Sequence, residues 1–282
     1  MMAVVMDGKE LAQVIKKNIM GQVESSDITP CAASVLVGDE PSSKKYVELK
    51  GKDCRSVGIN FQTHQLPKGV SEEELLGLID ELNEDSEIHG IIIQLPLPQK
   101  LSAEKAIMRV DPAKDVDGLH PYNVGKLWLG DYELERDLVP STPKGIMEFL
   151  EHYDVEIQGK EAVIINRSNL VGKPLAKLLL DKNATVTTCH SKTKNIEEHT
   201  KRADILVSAV GSRPEFQITE DMVKEGAVVV DVGMSYINDK LYGDVDFEEV
   251  KGKTSHITPM PGGVGPMTRV ALLQNILIAA GI

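Results

Sequence analysis

The sequence predicts an α/β protein of two lobes, an N-terminal α/β domain and a Rossmann-type doubly wound dinucleotide-binding domain. Three observations predict it. Short apolar runs alternate with helical periodicities along nearly the whole chain, the pattern of parallel strands joined by crossover helices. A stretch rich in Asp, Gly, Pro and Asn, Asp111–Pro140, interrupts the alternation and reads as a hinge. Beyond it a second, β-rich series of short runs bounded by turns resumes.

In order, Leu11, Val14, Ile15 and Ile19 recur at helical spacing after Asp7-Gly8. Ala32–Val37 reads as a buried strand, and Gly38–Ser43 as a turn that starts a helix. Tyr46–Val57 is predicted as helix and Ile59–Gln65 as strand. Ser71 with Glu74 three residues on is a capping box that opens a helix over Ser71–Leu82. Ile91–Leu95 is a continuous apolar strand. After the hinge, Thr142-Pro143 supplies a cap and a first-turn proline for a further helix. Strands are predicted over Ala162–Asn166, Thr185–His190, Ile205–Val210 and Ala227–Val232. Helices alternate with them near Pro174–Leu180, over Ile196–Ala203 and over Thr219–Lys224, and Met267–Ala280 closes the chain. The expected domains are 1–140, completed by the C-terminal helix 267–282, and 141–266.

Composition narrows the function. The hydrophobic fraction of 41% is that of an ordinary globular protein. A formal net charge of −12 argues against non-specific nucleic-acid or acidic-membrane binding. No apolar stretch reaches bilayer-spanning length, and the N-terminus lacks the basic and apolar regions of a signal peptide. Three cysteines in no metal or redox spacing point to reduced thiols and a cytoplasmic protein. Seven scattered histidines suggest no metal site.

Six stretches carry chemistry. Thr258-Pro-Met-Pro-Gly-Gly-Val-Gly-Pro-Met-Thr268 packs three prolines and three glycines into eleven residues, which specifies a rigid loop rather than a tether. It either starts the last helix or lets a ligand approach the backbone. Tyr46 and Lys50 share a helix face at i, i+4, as an acid–base pair or as a solvated surface pair. Gln94-Leu-Pro-Leu-Pro98 ends a buried strand, where open parallel sheets bind ligands, and Gln94 either reaches a ligand and a catalytic side chain or merely satisfies loop backbone. Downstream, Asp115 and Asp117 stand at i, i+2, able to grip the N–H donors of a heterocycle or to organise a turn. Finally, Asn166-Arg-Ser-Asn-Leu-Val-Gly-Lys-Pro174 lies between a strand and a helix, the phosphate-cradling position of a dinucleotide fold, though it is not G-x-G-x-x-G. The next strand ends in His190, Ser191 and Lys192. With no acidic residue there to read a free ribose, the loop suits a 2′-phosphate, or is an ordinary solvated loop.

These groups in this order resemble the methylenetetrahydrofolate dehydrogenase/methenyltetrahydrofolate cyclohydrolase family. The matching stretches, Tyr46–Lys50, Gly90–Pro98, Lys114–Gly118, Arg167–Pro174, Thr185–Thr193 and Pro259–Thr268, span nearly the full length. The resemblance implies oxidation of 5,10-methylenetetrahydrofolate with NADP, then hydrolysis of the methenyl product to 10-formyltetrahydrofolate. It implies folate on the N-terminal lobe, NADP on the C-terminal lobe, a cleft between them and a cytosolic homodimer. By the same resemblance Lys50 is the proton carrier, oriented by Tyr46 and Gln94. Asp117 holds the pterin, with Pro96, Gly262 and Gly263 and the Tyr46 ring also facing folate. Arg167, Ser168, Gly172, His190, Ser191, Lys192 and Asn166 line NADP. Asn166 departs from the family, which usually has glycine there. Asparagine tolerates positive φ, so the turn can survive, while its side chain could crowd the cofactor. The other readings are a dehydrogenase without hydrolysis, a non-catalytic nucleotide-binding protein, and a shikimate-type dehydrogenase, which the Pro-Gly-Gly-Val-Gly-Pro loop speaks against.

Overall fold

The computed structural model describes residues 3–238 and 240–282. In chain order its elements are β1 (Val4–Val5), α1 (Gly8–Ser25), β2 (Cys31–Val37), α2 (Pro41–Ser56), β3 (Asn60–Leu66), α3 (Glu72–Glu84), β4 (Gly90–Ile93), α4 (Ala103–Arg109) and α5 (Pro121–Leu129). There follow α6 (Ser141–His152), β5 (Glu161–Ile165), α7 (Gly172–Asp181), β6 (Thr185–Cys189), α8 (Ile196–Thr200), β7 (Ile205–Ser208) and a single 3₁₀ turn at Glu220–Met222. The last are β8 (Val228–Asp231), β9 (Ser235–Ile237), β10 (Lys240–Tyr242), α9 (Phe247–Val250), β11 (His256–Ile257) and α10 (Val264–Ala279).

The chain divides into two compact units. One comprises residues 14–141 with 269–282, and the other the N-terminal segment through Gln13 with 142–268. In the first unit three parallel strands pair in the order β3-β2-β4. Every residue of β2 is buried because both faces of the sheet are covered. Cys31, Ala33, Val35 and Val37 pack with Leu75 and Ile79 of α3, while Ala32 packs with Ile19, Ile92 and, from α10, Leu272, Leu273 and Ile276. The capping box of α3 forms as its sequence requires, with Ser71 and Glu74 each serving the other's backbone. Helix α2 begins at Pro41, five residues before the expected Tyr46. Glu40 caps it by accepting the Ser43 N–H, and proline takes the first position, where a missing N–H costs nothing.

The segment read as a hinge holds a helix instead. Pro121 opens α5, His120 Nδ1 accepts the Tyr122 N–H, and Gly130 closes it at φ 76°. Its buried Leu127 packs it into the unit. The surrounding Asp, Gly and Pro residues hid a helix of only nine residues.

The second unit carries a six-stranded sheet of order β1-β11-β8-β7-β5-β6, parallel throughout, and the separate antiparallel hairpin β9-β10. β7 and β8 are buried along their whole length, as central parallel strands must be. The helix expected over Thr219–Lys224 is only the 3₁₀ turn, because the backbone is already extended at Val223, φ −111° and ψ 139°. α10 starts three residues earlier than expected, with Pro266 in its first turn, where no intrahelical acceptor awaits an N–H.

Candidate active site

In the first unit, the carboxyl end of β4 faces the middle of α2. Lys50 Nζ donates to Gln94 Oε1 at 3.4 Å, so the two residues that the sequence placed 44 positions apart meet. Gln94 is held in turn: its Nε2 donates to the Leu95 carbonyl at 2.8 Å, and its N–H donates to the Val35 carbonyl. A glutamine with its amide nitrogen so engaged presents its oxygen to the ammonium. Tyr46 sits one turn before Lys50, and both side chains are half-buried. Pro96, two residues beyond Gln94, is exposed.

The two aspartates divide their tasks. Asp115 is buried and accepts the His120 N–H at 2.7 Å and Asn123 Nδ2 at 2.9 Å, which organises the turn into α5. Burial pushes its carboxyl up to about 6, against the lowering effect of these hydrogen bonds. Asp117 is half-buried, and among the described residues its carboxylate has no hydrogen-bond or ion-pair partner. Gly118 follows at φ 69°, and a Cβ there would meet the Pro140 nitrogen at 2.5 Å, so the turn that presents Asp117 requires glycine.

Sequence reasoning missed Asp53. It lies one turn beyond Lys50 on α2 and is buried, and its carboxylate takes Lys16 Nζ and Arg269 Nε, each at 2.5 Å. The signal available was the i, i+3 spacing from Lys50; its partners lie in α1 and α10. Buried Asn275 was also missed. Its Nδ2 donates to the carbonyls of Val116 and Val139 and so closes the segment that carries Asp117.

In the second unit the loop after β5 and the loop after β6 lie at the carboxyl ends of adjacent strands. Arg167, Ser191 and Lys192 are exposed, and the side chains of Arg167 and Lys192 have no protein partner among the described residues. Two such free cations are suited to an anionic ligand. His190 is partly committed: its Nδ1 accepts the Lys192 N–H at 3.1 Å, which leaves Nε2 as the protonated nitrogen of the neutral ring. Ser168 Oγ accepts the Val171 N–H. Gly172 is buried against Asn166, whose carbonyl oxygen would lie 2.2 Å from an added Cβ.

Asn166 does not adopt positive φ. Its side chain folds into the loop: Oδ1 accepts the N–H of Ser168 at 2.7 Å and of Gly172 at 3.0 Å, and Nδ2 donates to the Ala209 carbonyl at 2.5 Å. The turn survives because the carboxamide ties its backbone together.

The loop rich in proline and glycine is built around close backbone approach. The Gly8 N–H donates to the Gly262 carbonyl at 2.9 Å, and a Cβ on Gly8 would lie 1.9 Å from the Gly263 oxygen. Gly262 takes φ 115°, and Gly262 and Gly263 are both buried. Two buried aspartates brace the strand ends nearby. Asp244 accepts Ser208 Oγ–H and the N–H groups of Val210 and Gly211; Asp231 accepts those of Gly233, Asp244 and Val245. Cys31, Cys54 and Cys189 are free and buried, and burial pushes the Cys54 thiol up to about 12, so none is a ready nucleophile.

Comparison with known proteins bears on both units. Residues 6–117 match the model of the tetrahydrofolate dehydrogenase/cyclohydrolase catalytic domain, and residues 140–281 that of the NAD(P)-binding domain of the same enzymes. The bifunctional protein FolD of Bacillus subtilis is 50% identical over 284 residues, covering 99% of this chain and 98% of its own. The structure of the bifunctional FolD methylenetetrahydrofolate dehydrogenase/cyclohydrolase of Campylobacter jejuni superposes with a TM-score of 0.94 at 44% identity, covering 99% of both chains. That of the Trypanosoma brucei enzyme, complexed with NADP cofactor and inhibitor, has a TM-score of 0.93 at 35% identity and covers 99% of this chain and 97% of its own.

Proposed function

The chain belongs to the tetrahydrofolate dehydrogenase/cyclohydrolase family, and from that premise we propose how its own residues divide the family's two reactions. It oxidises 5,10-methylenetetrahydrofolate to the 5,10-methenyl form with NADP, then hydrolyses that product to 10-formyltetrahydrofolate. The observation that carries the assignment of roles is the Lys50–Gln94 contact at the carboxyl end of β4.

The first reaction removes hydride from the carbon bridging N5 and N10, leaving a cation shared over N–C–N. NADP supplies the hydride acceptor. The protein's task is orientation, and no side chain need move a proton. Asp117 holds the pterin by its exocyclic amine and ring N–H, since its carboxylate is otherwise unengaged. Arg167 and Lys192 pair with the cofactor's 2′-phosphate, and Ser191 hydrogen-bonds to it. Ser168, Gly172 and His190 complete that wall, while Pro96 and Tyr46 border the folate.

The second reaction needs proton transfer. Water adds to the methenyl carbon and loses one proton; the C–N5 bond then breaks as N5 gains a proton and the new hydroxyl gives up its own to become the formyl carbonyl, a net release of one proton. Lys50 carries that proton, Gln94 orients its nitrogen, and Tyr46 covers it from the same helix face. A dehydrogenase lacking the second step would have no use for this pair. The functional unit is a homodimer in the cytoplasm, which sedimentation velocity would check for the oligomer. Among the described residues no helix is long and apolar enough to cross a membrane.

The test is an absorbance assay with methylenetetrahydrofolate and either nicotinamide cofactor. Methenyl product should appear with NADP and then disappear. Accumulation of methenyl product without enzymatic decay would favour the dehydrogenase-only reading.

A further inference from the structure

The Asn166 carboxamide does more than stabilise a turn. Its oxygen takes the N–H of Ser168, in the loop after β5, and the N–H of Gly172, at the start of α7. In a strand–loop–helix unit these are the groups that point toward a bound phosphate, because helix N-terminal N–H groups lack intrahelical acceptors. Here they are already spent. The carboxamide nitrogen is held by Ala209, beyond the neighbouring strand β7, so the side chain is fixed from both ends and is not poised to swing away.

We propose that Asn166 sets the affinity of the cofactor loop by occupying, with its side-chain oxygen, two backbone donors that would otherwise bind the diphosphate common to NADP and NAD. The inference rests on the NADP reading above. Its consequence separates two properties. Residue 166 governs how tightly any diphosphate-bearing nucleotide binds, whereas Arg167, Ser191 and Lys192 govern the choice of NADP over NAD. The diphosphate is the same in both cofactors, so independent sites leave their affinity ratio unchanged.

The experiment is calorimetric titration of NADP, NAD, ADP and adenosine 2′-monophosphate into wild type, Asn166→Gly and Arg167→Ala. Asn166→Gly should tighten NADP, NAD and ADP by a common factor of about ten, the gain of freed N–H donors on a charged acceptor. Adenosine 2′-monophosphate, which lacks the 5′-diphosphate, should be unaffected by that change. Arg167→Ala should weaken NADP and adenosine 2′-monophosphate and leave NAD and ADP nearly unchanged. Unchanged or weaker ADP binding in a folded Asn166→Gly protein would overturn the proposal, as would a gain for NADP alone.

A wild-type measurement keeps the test independent of how the variant folds. By ¹⁵N NMR hydrogen exchange, the Ser168 and Gly172 amides should be protected in the free protein and gain no protection with saturating NADP. New protection on binding would show that the cofactor displaces the carboxamide and would overturn the proposal. If no nucleotide binds wild type at all, the cofactor reading itself fails, and the inference falls with it.

Discussion

At the scale of single residues, the two steps of the reaction place different demands on the first unit. Lys50 meets Gln94, and only hydration requires a proton to move. Lys50→Met should therefore lower the conversion of methenyl- to 10-formyltetrahydrofolate by about 10²- to 10⁴-fold, the usual range for a lost proton carrier, while hydride transfer remains measurable. Stopped-flow absorbance of each step checks this, and hydration near the wild-type rate would remove Lys50 from its role. Asp117 serves both steps. Asp117→Asn loses a charge-assisted contact and offers a donor where an acceptor is needed, so folate binding should weaken about ten- to a hundredfold. Nucleotide titration should be unaffected. If folate binding is unaltered, Asp117 is a turn residue like its neighbour. The pair was legible as two aspartates at i, i+2. Which one organises the turn was not legible, since that depends on Asn123 in the helix the sequence concealed and on the N–H of His120, its cap.

At the scale of elements, α5 and the turn before it depend on a buried carboxyl. The Asp115 group rises to about 6 in the folded protein, from roughly 3.9 for a free aspartate. The folded state thus holds its proton more tightly than the unfolded chain does. Its contribution to stability is greatest below about pH 4 and is lost as pH rises toward 6. Asp115→Asn cannot titrate, so its destabilisation relative to wild type should be larger at pH 4 than at pH 7. Urea midpoints across that range measure it, and a penalty independent of pH would show that burial does not raise this carboxyl. The capping box followed its local signal, with Ser71 and Glu74 each serving the other's backbone.

For the whole molecule, the decisive contributions come from the far end of the chain. Leu272, Leu273, Ile276 and Leu277 complete the core over β2 and β4, and Asn275 donates to two carbonyls, those of Val116 and Val139. Asn275→Ala leaves the Val116 and Val139 carbonyls buried without that donor, at about 1–3 kcal/mol each for unsatisfied groups. The melting temperature should fall by several degrees, and folate affinity with it, because Val116 directly precedes Asp117. Differential scanning calorimetry with and without folate checks both. A melting point within a degree of wild type would mean that water replaces the amide.

The sequence by itself determined the alternating α/β order, the seven longer strands β2–β8, several helix starts and the positions of the chemistry-bearing motifs. These rest on contacts within a few residues: apolar runs, i, i+3 caps, and the fixed φ of proline. Only the tertiary structure decided which motif residues meet and what braces them. Asp53 finds Arg269 across 216 positions, and Asn275 reaches Val116 across 159. Lys50 and Gln94 belong to separate elements brought together by the register of a three-stranded sheet. Asn166, where the family usually has glycine, is bonded through its carboxamide to Ser168, Gly172 and Ala209. A side chain's hydrogen-bond partners are chosen by the packing of distant strands and helices, and no local pattern in the chain encodes that choice.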